Sequence, residues 1–377
     1  MNSEVLIIGG GVIGLTVARS LHKKGVRGIT ILDRGKFGRE ASFAAAGMLA
    51  PQSESDSPGA MFDICSESRD LYPNFAAELL EETGIDIELE QSGTLVPAFT
   101  EQDRIRHGEI FAWQTAAGLN VQKLSAEELL KLEPLLSQNI KSGLFFPGDW
   151  QVNNRKLVSA LIEFAERSSI KLIENSSADE LLIQDSRCCG VRSKDKIYTA
   201  GTVIAAAGAW TSQLNIDHSE MPLNVEPVRG QMIAFVPSKP TFHHVIFSSY
   251  GYIVPRRNGK LVVGATVEHC GFDDHTTAEG IEKLRTNAVK MAPFLHDLKI
   301  DDSWSGLRPK VSDDLPVIGR FTGIEELFIA TAHFRNGILL APITGEIIAD
   351  KIVGENDSPY LDIFSPKRKA LASQKAI

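Results

Sequence analysis

The chain opens on an unbroken apolar run, Val5 to Ile8, cut by Gly9, Gly10 and Gly11 and followed by LTVARSLHKKG, where apolar residues recur at helical spacing. A short, fully apolar run is the pattern of a central parallel strand buried on both faces, and the spacing beyond Gly14 predicts a helix that ends at Gly25. GITILD then predicts a second apolar strand, ending on Asp33. Further on, MFDICSESRDLYPNFAAELLEETG reads as a helix, IELEQSGTLVPAF as a strand pair and EQDRIRHGEIFAWQTAAG as another helix. Ser125 and Glu128 have the spacing of a capping box, opening a helix that runs to Leu132 and stops before Pro134. Residues 153–169 form an amphipathic helical pattern, IKLIE a strand, and residues 178–201 short strands joined by polar turns. A surface hairpin there accounts for Cys188 and Cys189 more simply than redox chemistry does. TVIAAAGAW (202–210) predicts an apolar strand ending in small residues, residues 223–267 are β-rich, and 279–292 is helical. LFIATA predicts a late strand, after which AHFRNGILLAPITG (332–345) passes from polar residues through Gly337 into an apolar run expected to be the buried face of the last helix. Pro342 suits an early helical turn and not a helix interior.

The first elements form one chemical unit. Strand, GxGxxG, helix, strand and an acidic residue nineteen positions after Gly14 make the pattern of a dinucleotide site. Gly9 permits the tight turn, Gly11 lets a pyrophosphate approach the backbone, and Gly14 lets helix and strand pack closely. The helix start at Val12 and Ile13 offers unpaired N–H groups to phosphate, and Asp33 can accept from ribose hydroxyls. The motif alone does not separate FAD from NAD. Ser42, Ala44, Ala45, Ala46 and Gly47 crowd small side chains together, which suits either the face of a flat ring or a tight helix contact. Ala207 and Gly208 follow a strand whose end is expected to abut the nucleotide.

Composition narrows the class. A net charge of −9 and a pI near 5.6 do not indicate a nucleic-acid surface. The basic tail SPKRKALASQK reads as a solvated terminus. No stretch of 18 apolar residues and no signal pattern are present, so no membrane span is expected. The four cysteines form no CxxC pair, and no HxxxH or HExxH spacing occurs, so a reducing cytoplasm is expected and a metal site is not.

GGGVIG, AAAGML, GYIVPR, KLVVGAT, SGLRP and HFRNGILLAPITG, in this order over nearly the whole chain, resemble the glycine oxidases of the ThiO type, in the D-amino-acid oxidase family of FAD proteins. The resemblance implies an α/β chain, α+β overall, with a Rossmann-like FAD-binding domain (1–85, 150–220 and 305–377) interleaved with a β-rich substrate-binding domain (86–149 and 221–304). It implies that Arg308 grips a substrate carboxylate, that Tyr252 hydrogen-bonds it, and that Arg335 lies close by, with Tyr250 and Met48 as further substrate neighbours. Non-covalent FAD would take Arg34, Met48, Ala178, Trp210, His333, Arg335, Asn336, Gly337, Ile338 and Leu339 besides the residues already named. Two departures stand out: Asp33 replaces a frequent Glu, and Tyr250–Gly251 differ from the family pattern. Read from the residues alone, Arg308 could instead pair with Asp313 or Asp314, and Tyr252 could be a core tyrosine.

The chemistry implied is hydride transfer from the substrate α-carbon to flavin N5, hydrolysis of the imine to oxo acid and ammonia, and hydrogen peroxide from oxygen. No residue need act as a strong base if the amine binds neutral, and free N–H groups at a helix start near Gly337 would stabilise reduced flavin. Glycine, sarcosine and D-alanine are the expected substrates, and glycine imine for thiamine thiazole synthesis the expected product use. The competing readings are a D-amino-acid dehydrogenase with a non-oxygen acceptor, a non-catalytic FAD-binding protein, and an NAD-dependent dehydrogenase. A homo-oligomer is left open.

Overall fold

The computed structural model describes residues 2–216, 218–368 and 371. Strand Asn2–Ile8 lies inside a parallel array ordered Lys171–Ile173, Ile29–Leu32, Asn2–Ile8, Lys196–Ala205, Leu327–Thr331. Its side chains alternate between two cores: Val5 and Ile7 face the helices, while Leu6 and Ile8 face a layer built from residues 181–225 and 311–332. That double burial is why the run carries no polar residue. The helix Val12–Lys23 packs between the helices Asn154–Arg167 and Ala341–Val353. The strands Glu180–Gln184 and Arg187–Ser193 extend the sheet antiparallel.

A second sheet runs in the order Asp302–Lys310, Glu226–Phe235, Leu261–Gly264, Gly251–Pro255, Val245–Ser248, Thr94–Ala98, Ser142–Phe146, Gln122–Ser125. One face, with Ile233, Phe235, Ile253 and Val263, is covered by the helix Ala278–Met291. The other, with Met232, Val254, Val262, Tyr252 and Trp304, packs toward Ala46 and Met48. The strand Asp302–Lys310 straddles residue 305, the expected domain boundary, and pairs along its length with Glu226–Ala234.

Several local expectations change. Of IELEQSGTLVPAF, only Thr94–Ala98 is a strand; Glu90 makes an isolated bridge to Gln151, because Glu88 (φ 55°) and Gly93 (φ 88°) interrupt the extended run. The strand expected over 202–210 ends at Ala205, and Gly208 (φ 54°) starts a short 3-10 helix. The last helix begins at Ala341, with residues 333–340 an irregular turn before it; Pro342 sits in its first turn, where a missing N–H is not needed. Cys188 is buried at a bulge, so a surface hairpin explains only the partly exposed Cys189. Arg368 of the basic tail is not solvated but bonded to Asp313 at 2.6 Å; residues 369, 370 and 372–377 of that tail lie outside the described residues. Among the described residues no helix is long and apolar enough to cross a membrane.

Candidate active site

The carboxyl ends of the parallel strands converge on one cavity of about 540 Å³, within the range of cofactor pockets. Ile8, Leu32, Ala206, Ala330 and Thr331 form its floor, and the second sheet closes it with Gly230, Met232, Tyr252, Gly306 and Arg308.

At one end the glycine loop works as three different parts. Gly9 has φ 106°, and a Cβ there would lie 2.3 Å from the Ala206 carbonyl oxygen. Gly14 does not line the cavity; a Cβ on it would meet the Gly9 oxygen at 2.0 Å, so it serves packing alone. Gly11 does line the cavity, and its Cβ would meet only Ser42 Oγ, at 3.3 Å, so chain packing does not demand a glycine there. The N–H groups of Gly11 and Ile13 have no acceptor among the described residues, as expected of a helix start facing an anion. The N–H of Val12 is held by Ser42 Oγ at 2.9 Å. Asp33 accepts from the Gly10 N–H (2.7 Å) and the Gly35 N–H (2.8 Å), so it braces the loop as well as lining the cavity. Burial raises its pKa, and these two bonds offset part of the rise.

Arg34 covers this end, its guanidinium 4.1 Å from the Trp210 ring centroid. Val12, Ala178, Ala207 and Gly208 complete the lining. Ser42, Ala45, Ala46, Gly47 and Met48 line the middle, while Ala44 also packs on Gly306, whose Cβ would lie 2.5 Å from it. The tight-contact reading of this stretch therefore describes Ala44. Arg256 holds the stretch, donating to the carbonyls of Ala46 and Val152, each at 2.7 Å. Burial pushes its pKa down to about 10, leaving it charged at neutral pH. Its anchoring role was not legible in sequence, although it ends GYIVPR.

At the other end, Arg308 and Tyr252 sit on adjoining parts of one sheet face, each over a glycine. A Cβ on Gly230 would lie 2.2 Å from the Arg308 guanidinium, and one on Gly264 would lie 2.5 Å from the Tyr252 hydroxyl. Asp313 is taken by Arg368 and Asp314 by Lys310, so neither pairs with Arg308. Among the described residues Arg308 forms no ion pair; it donates to the Thr266 carbonyl at 3.1 Å and meets the Tyr252 hydroxyl. A guanidinium facing a cavity without a carboxylate partner is built to receive one. Arg335, 45 % exposed, is 3.4 Å from Glu54, which also lines the cavity. Nothing near Glu54 in the sequence marks that pairing.

Gly337 and Ile338 line the cavity edge, and a Cβ on Gly337 would meet only His333 Cβ, at 3.7 Å. The N–H groups of Gly337, Ile338 and Leu339 have no acceptor among the described residues, although Ile338 and Leu339 are buried. Buried N–H groups are seldom left unpaired, so this turn awaits an acceptor from outside the chain. Its carbonyls are engaged: Tyr72 donates to Ile338 O, and Ser68 to Leu339 O at 2.6 Å. The Ile338 carbonyl also accepts the Ala341 N–H at 3.2 Å, closing a turn that precedes the helix Ala341–Val353. The free N–H groups therefore come from an irregular turn, not from the helix start expected near Gly337. His333 lines the cavity and bonds Thr344 Oγ1 through Nε2 at 3.1 Å; burial pushes its pKa down to about 3, so it is neutral.

Besides Gly14, three expected site residues lie elsewhere. Tyr250 packs on Phe99, with Lys290 over its ring, outside the cavity lining. Asn336 and Leu339 are also outside the lining; Asn336 closes the turn by accepting from the Leu340 N–H, and Leu339 belongs to the core. Cys65 and Cys270 do not line the cavity either. Among the described residues one exposed cluster has metal-ligand spacing, Asp273, Asp274 and His275, but Asp273 is already bonded to Arg229 at 2.8 Å.

Comparison with known proteins places this geometry in context. A family model described as FAD dependent oxidoreductase, DAO, matches residues 4–351. The bifunctional protein ThiO/ThiG of Synechocystis is 37% identical over 97% of this chain and 54% of its own length, so the chain spans about half of that relative. The glycine oxidase of Geobacillus kaustophilus is 35% identical, with 97% of each chain covered. The crystal structure of glycine oxidase from that organism superposes with a TM-score of 0.92 at 33% identity, covering 97% of this chain and 99% of the other. An iminodiacetate oxidase from Chelativorans superposes at 0.85 with 27% identity, covering 96% and 99%.

Proposed function

The chain belongs to the DAO family of FAD-dependent oxidoreductases, and from that premise we propose that it oxidises glycine and other small amines or amino acids, such as sarcosine and D-alanine, with oxygen as acceptor. The residues fit the cofactor. Gly11 and the free N–H groups of Gly11 and Ile13 suit the pyrophosphate, and the unpaired N–H groups of Gly337 and Ile338 suit an electron-rich ring edge. Bound FAD supplies a two-electron acceptor for the α-carbon hydride.

The observation that carries the substrate assignment is Arg308, a guanidinium in the cavity wall without a carboxylate of its own. It binds the substrate carboxylate through parallel N–H···O bonds, and the Tyr252 hydroxyl donates to the same group. Two anchor points on one rigid sheet face fix the α-carbon, which is a proximity effect. The sheet, Met48 and Met232 exclude water from that position. His333, its pKa pushed down to about 3 by burial and its Nε2 engaged with Thr344, is too weak a base to take the amine proton, and the amine binds in its neutral form. The oxo acid, ammonia (methylamine from sarcosine) and hydrogen peroxide are the products.

The curated relatives that extend beyond this chain include ThiO/ThiG proteins, and supply of glycine imine for thiamine thiazole synthesis is part of the proposal. So are a cytoplasmic location and the division into a discontinuous FAD-binding domain and a β-rich substrate domain, its last boundary moved from 305 to just after Lys310.

The purified protein is expected to be yellow and to form peroxide under air with glycine, sarcosine or D-alanine. A colourless protein, or flavin reduction by these amines without peroxide, rejects the oxidase reading; the second result points to a dehydrogenase.

A further inference from the structure

The substrate corner holds two guanidinium groups, yet only one is free to take a carboxylate. Glu54, Tyr252, Arg308 and Arg335 all line the same cavity, and Tyr252 and Arg308 each feel the charges of both Glu54 and Arg335. Glu54 pairs with Arg335 at 3.4 Å and is itself only 17 % exposed. Its position is not adaptable. Asp149, fully buried, accepts the N–H groups of Gln52 (3.0 Å) and Ser53 (2.8 Å), and the Gln52 and Gln114 side chains are bonded to each other at 2.8 Å. The turn that carries Glu54 is thus fastened to the helix Glu101–Ala116 and to the loop before Trp150.

We infer that Glu54 sets substrate selectivity: by neutralising Arg335 it leaves Arg308 as the free guanidinium of this corner, among the described residues, and so restricts the site to compounds with one carboxylate. A second carboxylate on the substrate would reach Arg335 only by lying against Glu54, and like charges held close in a partly desolvated site repel strongly. Rejection by an unpaired or repelled charge is the usual way a site excludes a near relative of its substrate. The inference rests on reading Arg308 as the carboxylate clamp.

The test is calorimetric binding of acetate and malonate to the FAD-loaded protein, with Glu54→Gln, Arg335→Gln and the double variant. Wild type is expected to favour acetate. In Glu54→Gln the ratio of malonate Kd to acetate Kd is expected to fall about tenfold, the scale of one charge-assisted contact, and the double variant should lose that gain. An unchanged ratio in Glu54→Gln, including parallel weakening of both ligands, overturns the inference. Should Glu54→Gln fail to retain FAD, Arg335→Gln decides: uncompensated Glu54 is expected to weaken acetate about tenfold, and undiminished acetate affinity overturns it. Peroxide formation with glycine is recorded on the same wild-type protein. A malonate gain without peroxide keeps the inference and rejects the oxidase reading, and peroxide without the gain does the reverse.

Discussion

Arg308 is the residue on which the functional reading turns, and its surroundings decide between the two roles its sequence allowed. The nearby acids that could have made it structural are each paired elsewhere, with Arg368 and Lys310. Arg308→Ala is therefore expected to raise KM for glycine by two to three orders of magnitude, roughly 3–4 kcal/mol at 1.4 kcal/mol per decade, while FAD stays bound; steady-state kinetics beside the visible spectrum check both halves. His333 makes a separate prediction. Its folded pKa, about 3, lies below the ordinary value of 6.5, so between these values the unfolded chain binds more protons and stability falls as pH is lowered. Asp149, pushed up to about 6 by burial, works in the opposite direction above its ordinary value of 3.8. The stability difference between wild type and His333→Gln isolates the histidine. It should shift against wild type by about 1.4 kcal/mol per pH unit between pH 6 and 4, measured by urea unfolding.

At the scale of elements, the glycine loop separates packing from binding within six residues. Gly14→Ala drives a Cβ into the Gly9 carbonyl at 2.0 Å and is expected to lower the melting temperature of protein stripped of cofactor. Gly11→Ala meets only Ser42 Oγ at 3.3 Å, so it should leave that melting temperature within a few degrees and weaken FAD instead, by about tenfold or more. Flavin fluorescence titration and thermal melts of the stripped variants tell the two apart. This loop was legible in sequence because strand, turn, helix and acid are contiguous and each has a local physical signature. The 333–340 turn was less so. Its apolar residues suggested helix, but Tyr72 and Ser68, more than 260 positions away, donate to two of its carbonyls, and the regular helix starts only at Ala341. Glu54 and Arg256 were missed for the same reason: their partners are distant in sequence, and no spacing rule connects them. Tyr250 was misplaced because it precedes the strand Gly251–Pro255, so the alternation that aims Tyr252 at the cavity does not reach it, and here it meets Phe99.

For the whole molecule, the cavity lies between the two sheets and takes residues from both. A ligand bound there stabilises the folded chain by RT ln(1 + [L]/Kd). Removing FAD is therefore expected to lower the melting temperature, and adding it back to raise the melting temperature with the logarithm of its concentration. If both sheets depend on the ligand, far-UV circular dichroism and near-UV signals from Trp304 and Tyr252 should move together. Separate transitions would mean that the sheets melt as independent units.

The order of the parallel strands also has a consequence in time. Among these strands Asn2–Ile8 is synthesised first, but its neighbour on one side is Lys196–Ala205, which in turn pairs with Leu327–Thr331. The glycine loop is thus synthesised some three hundred residues before the turn at Gly337 that lines the same cavity. Until that turn emerges, the nascent chain offers a flavin its phosphate end and nothing at the ring edge. Capture of the cofactor then waits for the turn at Gly337, and a ribosome stalled before residue 327 should carry a polypeptide that holds no flavin.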